Sequence, residues 1–130
     1  MLEKTAADLL ALPDVSMAIL DAVPVAILAV GPRGLIKLAN ARAQLLTGYD
    51  KSELLGQPIE MLVPEGVRQA HAEVHRPRYQ DDPTERPMGT GGLGLRLRRR
   101  DGSEIPVQIM LKPLPSPWGL LTITVVKREP

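Results

Sequence analysis

The chain of 130 residues is 44% hydrophobic, carries a formal net charge of +1 and contains no cysteine. A chain of this length fits one domain, which can bury a core without disulfides or a structural metal. The lack of cysteine excludes disulfides, Cys-ligated zinc, a thiol nucleophile and a cysteinyl flavin adduct. One Trp, two Tyr and no Phe leave too few rings for a base-stacking surface.

The apolar runs and the start of the chain give no membrane or export signal. No apolar run approaches the roughly 18 residues that a transmembrane helix needs. Residues 1–4 do not begin a signal peptide, because no charged region there precedes an apolar stretch. We therefore expect a cytoplasmic protein with no membrane segment.

The first residues predict an amphipathic helix. Leu2, Ala6, Leu9 and Leu10 recur with a period near 3.6 over residues 2–12, and Pro13 ends the pattern. An apolar stripe at a terminus needs a surface to cover it. Two interpretations stay open: the helix packs on the sheet of its own chain, or it contacts a second copy.

The next segment predicts a short helix over residues 16–23, a β-hairpin over 25–39 and a further helix. Residues 31–34 supply the turn of the hairpin. Asn40 is typical of a helix N-cap, and Gly48 is typical of a residue that closes a helix.

The middle of the chain predicts short helices followed by a longer one. Asp50 and Glu53 form a capping box for a short helix that ends near Gly56, and one further turn follows over residues 59–63. A helix over 65–76 is ended by Pro77, and residues 80–92 predict a loop. The helix has an apolar stripe at i, i+3, i+4, i+7 and i+8, which we expect to face inward: Val67, Ala70, His71, Val74 and His75.

The last third predicts three strands. Alternating apolar residues indicate strands over 93–98 and 105–111, joined by a turn at 100–103, and residues 113–117 form a proline-rich connection. The last strand, 120–127, places Leu121, Ile123 and Val125 on one face. Strands at both ends of a helical middle favour an α+β fold with one antiparallel sheet and helices on one face.

Short motifs recur in order along the chain, at residues 19–27, 34–36, 39–41, 46–49, 53–56 and 99–107. In their order and spacing these motifs resemble the PAS domain family over residues 17–128. The resemblance implies a five-stranded antiparallel sheet of order 2-1-5-4-3, with short helices that enclose an internal pocket. The chain then divides into the N-terminal amphipathic helix at 1–15, a candidate dimerisation cap, and a PAS domain at 16–130.

The resemblance implies a non-catalytic sensor or interaction module of a bacterial-type signal-transduction or transcription-regulating protein, such as a two-component system. We expect a homodimer that forms through residues 2–12 and the outer face of the sheet, joined to an effector such as a histidine kinase. The module would bind a small apolar ligand, or none where side chains fill the pocket. The inward residues expected to line that pocket are Leu62, Val67, Val74, Leu95, Ile109 and Ile123.

A haem-based gas sensor that uses His71 or His75 is the alternative, because haem needs an axial histidine. Residues 78–89 resemble the oxygen-sensing haem domains of the FixL type. Alignment on that stretch, however, places the haem histidine of that class at Ala72 and its distal arginine near Gly92. Haem is therefore not expected, and flavin is not expected because rings are scarce. The histidine pair lacks a third metal ligand.

Three further patterns have simpler interpretations. The glycine-rich residues 89–94 precede a strand, whereas a phosphate-binding loop precedes a helix. Arg96 and Arg98 lie on the outward face of a strand, so we expect a solvated face and no direct nucleic acid binding. An enzyme is the remaining alternative, and no convergent acid–base pair supports it.

Overall fold

A computed structural model of the chain describes residues 13–88 and 94–130. The helix predicted over residues 2–12 lies outside the described residues, as does most of the 1–15 segment. The first described element is helix α1 (Pro13–Ala22), which begins three residues before the predicted one. It leads into strand β1 (Ala26–Val30), strand β2 (Ile36–Ala39) and helix α2 (Ala41–Thr47).

Asn40 connects these first four elements. Its Oδ1 accepts hydrogen bonds from the backbone N–H of Ile27, at 2.9 Å, and of Ala43, at 3.0 Å. Its Nδ2 donates to the carbonyls of Leu20 and Val25, each at 2.9 Å. The predicted N-cap is confirmed. The fully buried side chain also joins the end of α1 to the start of β1.

The capping box at helix α3 (Lys51–Leu54) is present as predicted. The backbone N–H of Asp50 donates to Glu53 Oε1 at 3.0 Å, which holds the start of the helix. A 3₁₀ helix (Ile59–Leu62) follows.

The helix after Pro64 runs past the proline that was predicted to end it. Helix α4 (Glu65–Ala70) continues through a π turn (His71–His75) into helix α5 (Arg76–Asp81). In the π turn the N–H of Arg76 donates to the carbonyl of His71, five residues earlier. Proline has no N–H, and its ring crowds the preceding turn. The wider turn makes room for Pro77, so the helix continues. We call residues 65–81 the central helix.

The remaining strands complete one antiparallel sheet. They are β3 (Arg86–Pro87), β4 (Leu95–Arg98), β5 (Glu104–Ser116) and β6 (Gly119–Arg128). The order is β2-β1-β6-β5, and the outer edge of β5 pairs with β4 along one part and with β3 along another. Without the two-residue β3, this is the order that the resemblance implied, so the α+β prediction is confirmed.

Two details of the strands differ from the sequence prediction. Residues 86–87 were predicted as loop but pair with β5, and β5 continues through Pro113 and Pro115 to Ser116. In the described residues, the edge of β5 away from β6 forms no ladder pair beyond Leu111. A missing N–H is tolerated on such a free edge, which explains the prolines.

The core lies between the helices and the inner face of the sheet. Its members come from every layer of the fold, and the largest fully buried apolar side chains are Leu28, Ile36, Leu54 and Val107. Met61, Leu95 and Ile109 are partly buried and pack against this cluster.

Candidate functional site

Three of the six residues predicted to line a pocket lie in or against the core. Leu62 is buried in the core cluster, and Leu95 and Ile109 pack against it. These three side chains therefore share one apolar interior with the fully buried leucines and valines.

Val67 and Val74 lie on the solvent side of the central helix, with exposures of 54% and 44%. The prediction that their stripe faces inward is wrong for both. The side of the helix that packs inward contains His71, which belongs to the predicted stripe, together with Arg76 and Tyr79. Tyr79 is buried, and His71 and Arg76 are mostly buried. Polar contacts to the 3₁₀ helix turn that side inward, so the valines face outward.

Ile123 lies on the outer face of the sheet, and its prediction as a pocket residue is also wrong. Val126 is part of the core and pairs with Ile109, so the even-numbered residues of β6 face inward. Ile123 pairs with Lys112, on the opposite face. Alternation along β6 correctly divides its residues between the two faces of the sheet. Both faces carry apolar side chains, so alternation alone does not show which face is the inner one.

A buried polar cluster joins the central helix to the 3₁₀ helix. Glu60 is buried, with only 7% of the surface of the residue exposed. Its Oε2 lies 2.7 Å from His71 Nδ1 and accepts a hydrogen bond from Arg76 Nε at 3.1 Å. A buried carboxylate needs such partners, because an unpaired buried charge is strongly destabilising. The sequence analysis missed this cluster, since Glu60 stands in a short turn and carries no motif.

Desolvation and the carboxylate act in opposite directions on His71. Burial lowers the pKa of His71 below its ordinary value, and the hydrogen bond and charge of Glu60 offset only part of that effect. The nearby positive charges of Arg76 and His75 lower the same pKa further. His71 is therefore mainly neutral near pH 7.

The two histidines have different surroundings. His71 is held through Nδ1, and no hydrogen bond joins its Nε2 to another of the described residues, whereas His75 is exposed. Ala72, which the FixL-type resemblance aligns with the haem histidine, has no ligating atom, and Gly92 lies outside the described residues. Among the described residues, no group of three His, Asp or Glu side chains could hold a metal ion.

Tyr79 closes the C-terminal end of the central helix. Its hydroxyl donates to the carbonyl of Thr84 at 2.8 Å, and the guanidinium of Arg86 lies 5.1 Å from the ring centroid. Burial raises the pKa of Tyr79. The residues that resemble the FixL type thus have a local structural role, because they fix the turn between the helix and β3.

The outer face of the sheet is apolar along β5 and β6. Met110 and Leu114 are 42% and 46% exposed, and they pair with Val125 and Leu121 across the two strands. With Ile123, these side chains form an apolar surface that we call the outer face patch; the exposed Lys112, which pairs with Ile123, is the charged residue within it.

The arginine run at the β4–β5 turn is paired with carboxylates. Arg96 contacts Glu104 at 3.5 Å, Arg98 contacts Glu65 at 3.0 Å and Arg100 contacts Glu53 at 2.9 Å. These exposed pairs explain the run as a charged surface of the fold.

The comparisons with known proteins agree with this architecture. The family model described as the PAS fold matches residues 17–128. The PAS domain of the HTR-like protein from Haloarcula marismortui superposes with a TM-score of 0.73 at 21% identity, covering 89% of this chain and 90% of that chain. A PAS domain from a two-component sensor histidine kinase gives 0.69 at 16% identity, covering 89% and 95%.

A curated relative is the sensor protein FixL of Bradyrhizobium diazoefficiens. It is 29% identical over 94 residues, which are 72% of this chain and 18% of the relative, so the match spans less than a fifth of FixL. No helix in residues 13–88 or 94–130 is long and apolar enough to cross a membrane. The match of the family model over residues 17–128, together with the sheet order, shows that the chain belongs to the PAS domain family.

Proposed function

We propose that this domain is a cytoplasmic sensor or interaction module that passes a signal to an effector and catalyses no reaction itself. The family and the similarity to FixL and to a sensor histidine kinase support a role in a bacterial-type signal-transduction or transcription-regulating protein. The effector would be a histidine kinase or another output domain. Its identity belongs to the whole protein and is part of the proposal.

The observation that carries the proposal is the outer face patch. Met110 and Leu114 keep more than two fifths of their surface exposed on a sheet whose other face is already the core. Exposed apolar patches on soluble domains mark sites of association. A second copy is the occupant we propose, because the same patch on two copies forms a self-complementary two-fold contact. The amphipathic segment at residues 2–12 would extend it.

The inner face favours a module whose interior is filled by its own side chains. Leu28, Ile36, Leu54 and Val107 are fully buried, and Leu62 is nearly so. If a small apolar ligand binds, Leu62, Leu95 and Ile109 are the residues that would contact it. Native mass spectrometry and an absorption spectrum of one purified sample distinguish these cases: a co-purified mass identifies a ligand, and a bare mass supports the filled interior.

The dimer is tested by Ile123→Lys at the centre of the outer face patch. Analytical ultracentrifugation should show a dimer for the parent chain and a monomer for the variant, because a buried lysine charge opposes association. Lys127→Gln at the exposed end of β6 is the matched control and should leave the dimer intact. A monomeric parent chain at about 100 μM, a concentration at which weak self-association is detectable, would overturn the proposal. A shortened chain that starts at Asp14 measures how much residues 2–12 contribute to the affinity of the dimer.

A haem-based gas sensor is the second candidate, because residues 78–89 resemble FixL-type domains and FixL is a relative of this chain. His71 would bind iron through Nε2 while Glu60 holds Nδ1, an arrangement common among ligating histidines. Protein mixed with haemin should then show a Soret band that His71→Ala removes and His75→Ala leaves. A spectrum identical to that of free haemin would exclude this candidate.

A further inference from the structure

We propose that a basic groove at the edge of the fold binds an acidic, amphipathic peptide segment of a partner protein. The groove has a volume of about 580 Å³ and lies between the start of β1, helix α2 and the end of β6. The groove shares no residue with the outer face patch, and its floor adjoins the core, to which Ala26 and Val126 belong. The proposal therefore adds a second surface to the dimer contact.

The floor of the groove is apolar. Val25, Leu46 and Val126 line it, and Leu45 stands beside them with 71% of its surface exposed. Helix α2 packs inward through Ala43 and Thr47, which places Leu45 on its outer side. Burying one leucine side chain contributes about 1.5–3 kcal/mol of transfer free energy, so an apolar partner side chain would gain affinity here.

Among the residues that the structure describes, the rim of the groove carries four cations and no acidic residue. Arg42, Arg99, Lys127 and Arg128 all line it. No carboxylate of the described residues lies within 4.0 Å of any of the four, whereas Arg96, Arg98 and Arg100 of the neighbouring run each contact a glutamate. Arg99 Nε donates to the carbonyl of Leu46 at 2.9 Å, which fixes one cation at the edge of the floor.

This combination selects the chemistry of the partner. The positive and negative charges of the whole chain nearly cancel, to a net charge of +1. Four cations that line one groove therefore give that groove a local positive potential that the rest of the surface lacks. Two copies of the groove would repel each other, which argues against a second copy as the occupant. An exposed leucine on the floor suits an apolar side chain better than a phosphate backbone, which pairs with cations alone. A peptide that presents apolar side chains flanked by carboxylates would contact both the apolar floor and the cationic rim of the groove.

The experiment measures binding of a fluorescein-labelled synthetic helix with leucines at i, i+3, i+4 and i+7 and glutamates elsewhere. Fluorescence anisotropy with the full chain should give a Kd of about 1–100 μM, typical of one amphipathic segment in a groove. The same peptide with lysines in place of the glutamates should not bind. A peptide with serines in place of the leucines should not bind either.

Two variants locate the site on the domain. Leu45→Gln and the double variant Arg42→Gln with Lys127→Gln should each weaken binding about tenfold or more, a loss equivalent to about 1.4 kcal/mol. Leu55→Gln is the control for an exposed leucine, and Arg33→Gln with Lys37→Gln is the control for two exposed cations. Both controls should bind as the parent does.

Four outcomes would overturn the proposal. The first is no change in anisotropy up to about 1 mM of the domain, the weakest affinity worth assigning. The second is an equal loss of binding in the control variants. The third is displacement of the labelled peptide by an equal concentration of unlabelled peptide of residues 2–12, which would assign the groove to this chain's own N-terminal segment. The fourth is binding of single-stranded RNA that is tighter than binding of the peptide and is lost in the double variant. This outcome would assign the groove to nucleic acid.

Discussion

Gly34 leaves the space that the guanidinium of Arg76 occupies. A Cβ built on Gly34 would lie 2.6 Å from Arg76 Nε, closer than side-chain atoms approach one another. Gly34 also has a φ of +79°, in the left-handed region that favours glycine. One glycine thus satisfies the turn after β1 and allows Arg76 to reach Glu60, so the β1–β2 turn and the central helix depend on each other.

Gly34→Ala should therefore destabilise the domain through two effects. The left-handed backbone disfavours alanine by about 1–2 kcal/mol, and displacement of Arg76 from a buried carboxylate adds a loss of similar size. Gly56→Ala is the matched control, because Gly56 has a φ of +82° and no atom within 4 Å of its built Cβ. Urea unfolding followed by circular dichroism should rank Gly34→Ala as clearly the less stable. Equal losses would mean that Arg76 moves aside freely.

Arg76→Met should lower the free energy of unfolding by about 2–4 kcal/mol, because it leaves the carboxylate of Glu60 buried without the guanidinium that pairs with it. Glu60→Gln in the same chain should recover part of that loss, since the amide carries no charge. Arg96→Met is the control, because the pair of Arg96 with Glu104 is exposed and should contribute within about 1 kcal/mol. Losses for Arg76→Met and Glu60→Gln that simply add would show that the two groups are not coupled.

Acidification should destabilise the domain through His71. Because burial lowers the pKa of His71 in the folded state, the unfolded chain binds more protons once the pH falls through about 6.5 and below. The free energy of unfolding should therefore fall between about pH 7.5 and pH 5.5, a range that spans the ordinary histidine pKa. His71→Gln, which keeps a donor for Glu60, should flatten this dependence.

The control for that measurement is His75→Gln. His75 is exposed, and its charge is the smallest of the effects on the pKa of His71, so His75→Gln should change the slope much less than His71→Gln does. Glu60, Arg76 and His75 are the charged groups that act on His71. Parallel pH curves for the parent and His71→Gln would contradict the assignment.

Asn40→Asp should cost about 2–4 kcal/mol although it changes the size of the side chain very little. The carbonyls of Leu20 and Val25 each lose a donor and face a carboxylate in a buried site. The N-cap bond to Ala43 would survive, so a large effect would come from the tertiary contacts alone. Asp50→Asn is the control at an exposed N-cap, with an expected change below about 0.5 kcal/mol. A change equally small for Asn40→Asp would mean that α1 is not held through Asn40.

The features that the sequence predicts correctly depend on short-range rules. The N-cap at Asn40, the closing glycine at Gly48 and the turn at Asp101 and Gly102 involve groups within three or four residues of one another. The order of strands and helices follows from the same local patterns, and with the motifs of residues 17–128 it was enough to identify the α+β fold and the family. Of the six predicted pocket residues, Leu62, Leu95 and Ile109 lie in or against the core, and their role in lining a ligand pocket stays a prediction.

The tertiary structure decided which apolar face is buried. Val67 and Val74 face solvent because Glu60, eleven residues before His71, holds the other side of the central helix. Ile123 faces outward because Val126 pairs with Ile109 in the core, although both faces of β6 are apolar. The groove beside Leu45 exists only because β6 ends next to α2. Such choices depend on contacts between distant parts of the chain, and local periodicity determines the faces of an element without determining what each face meets.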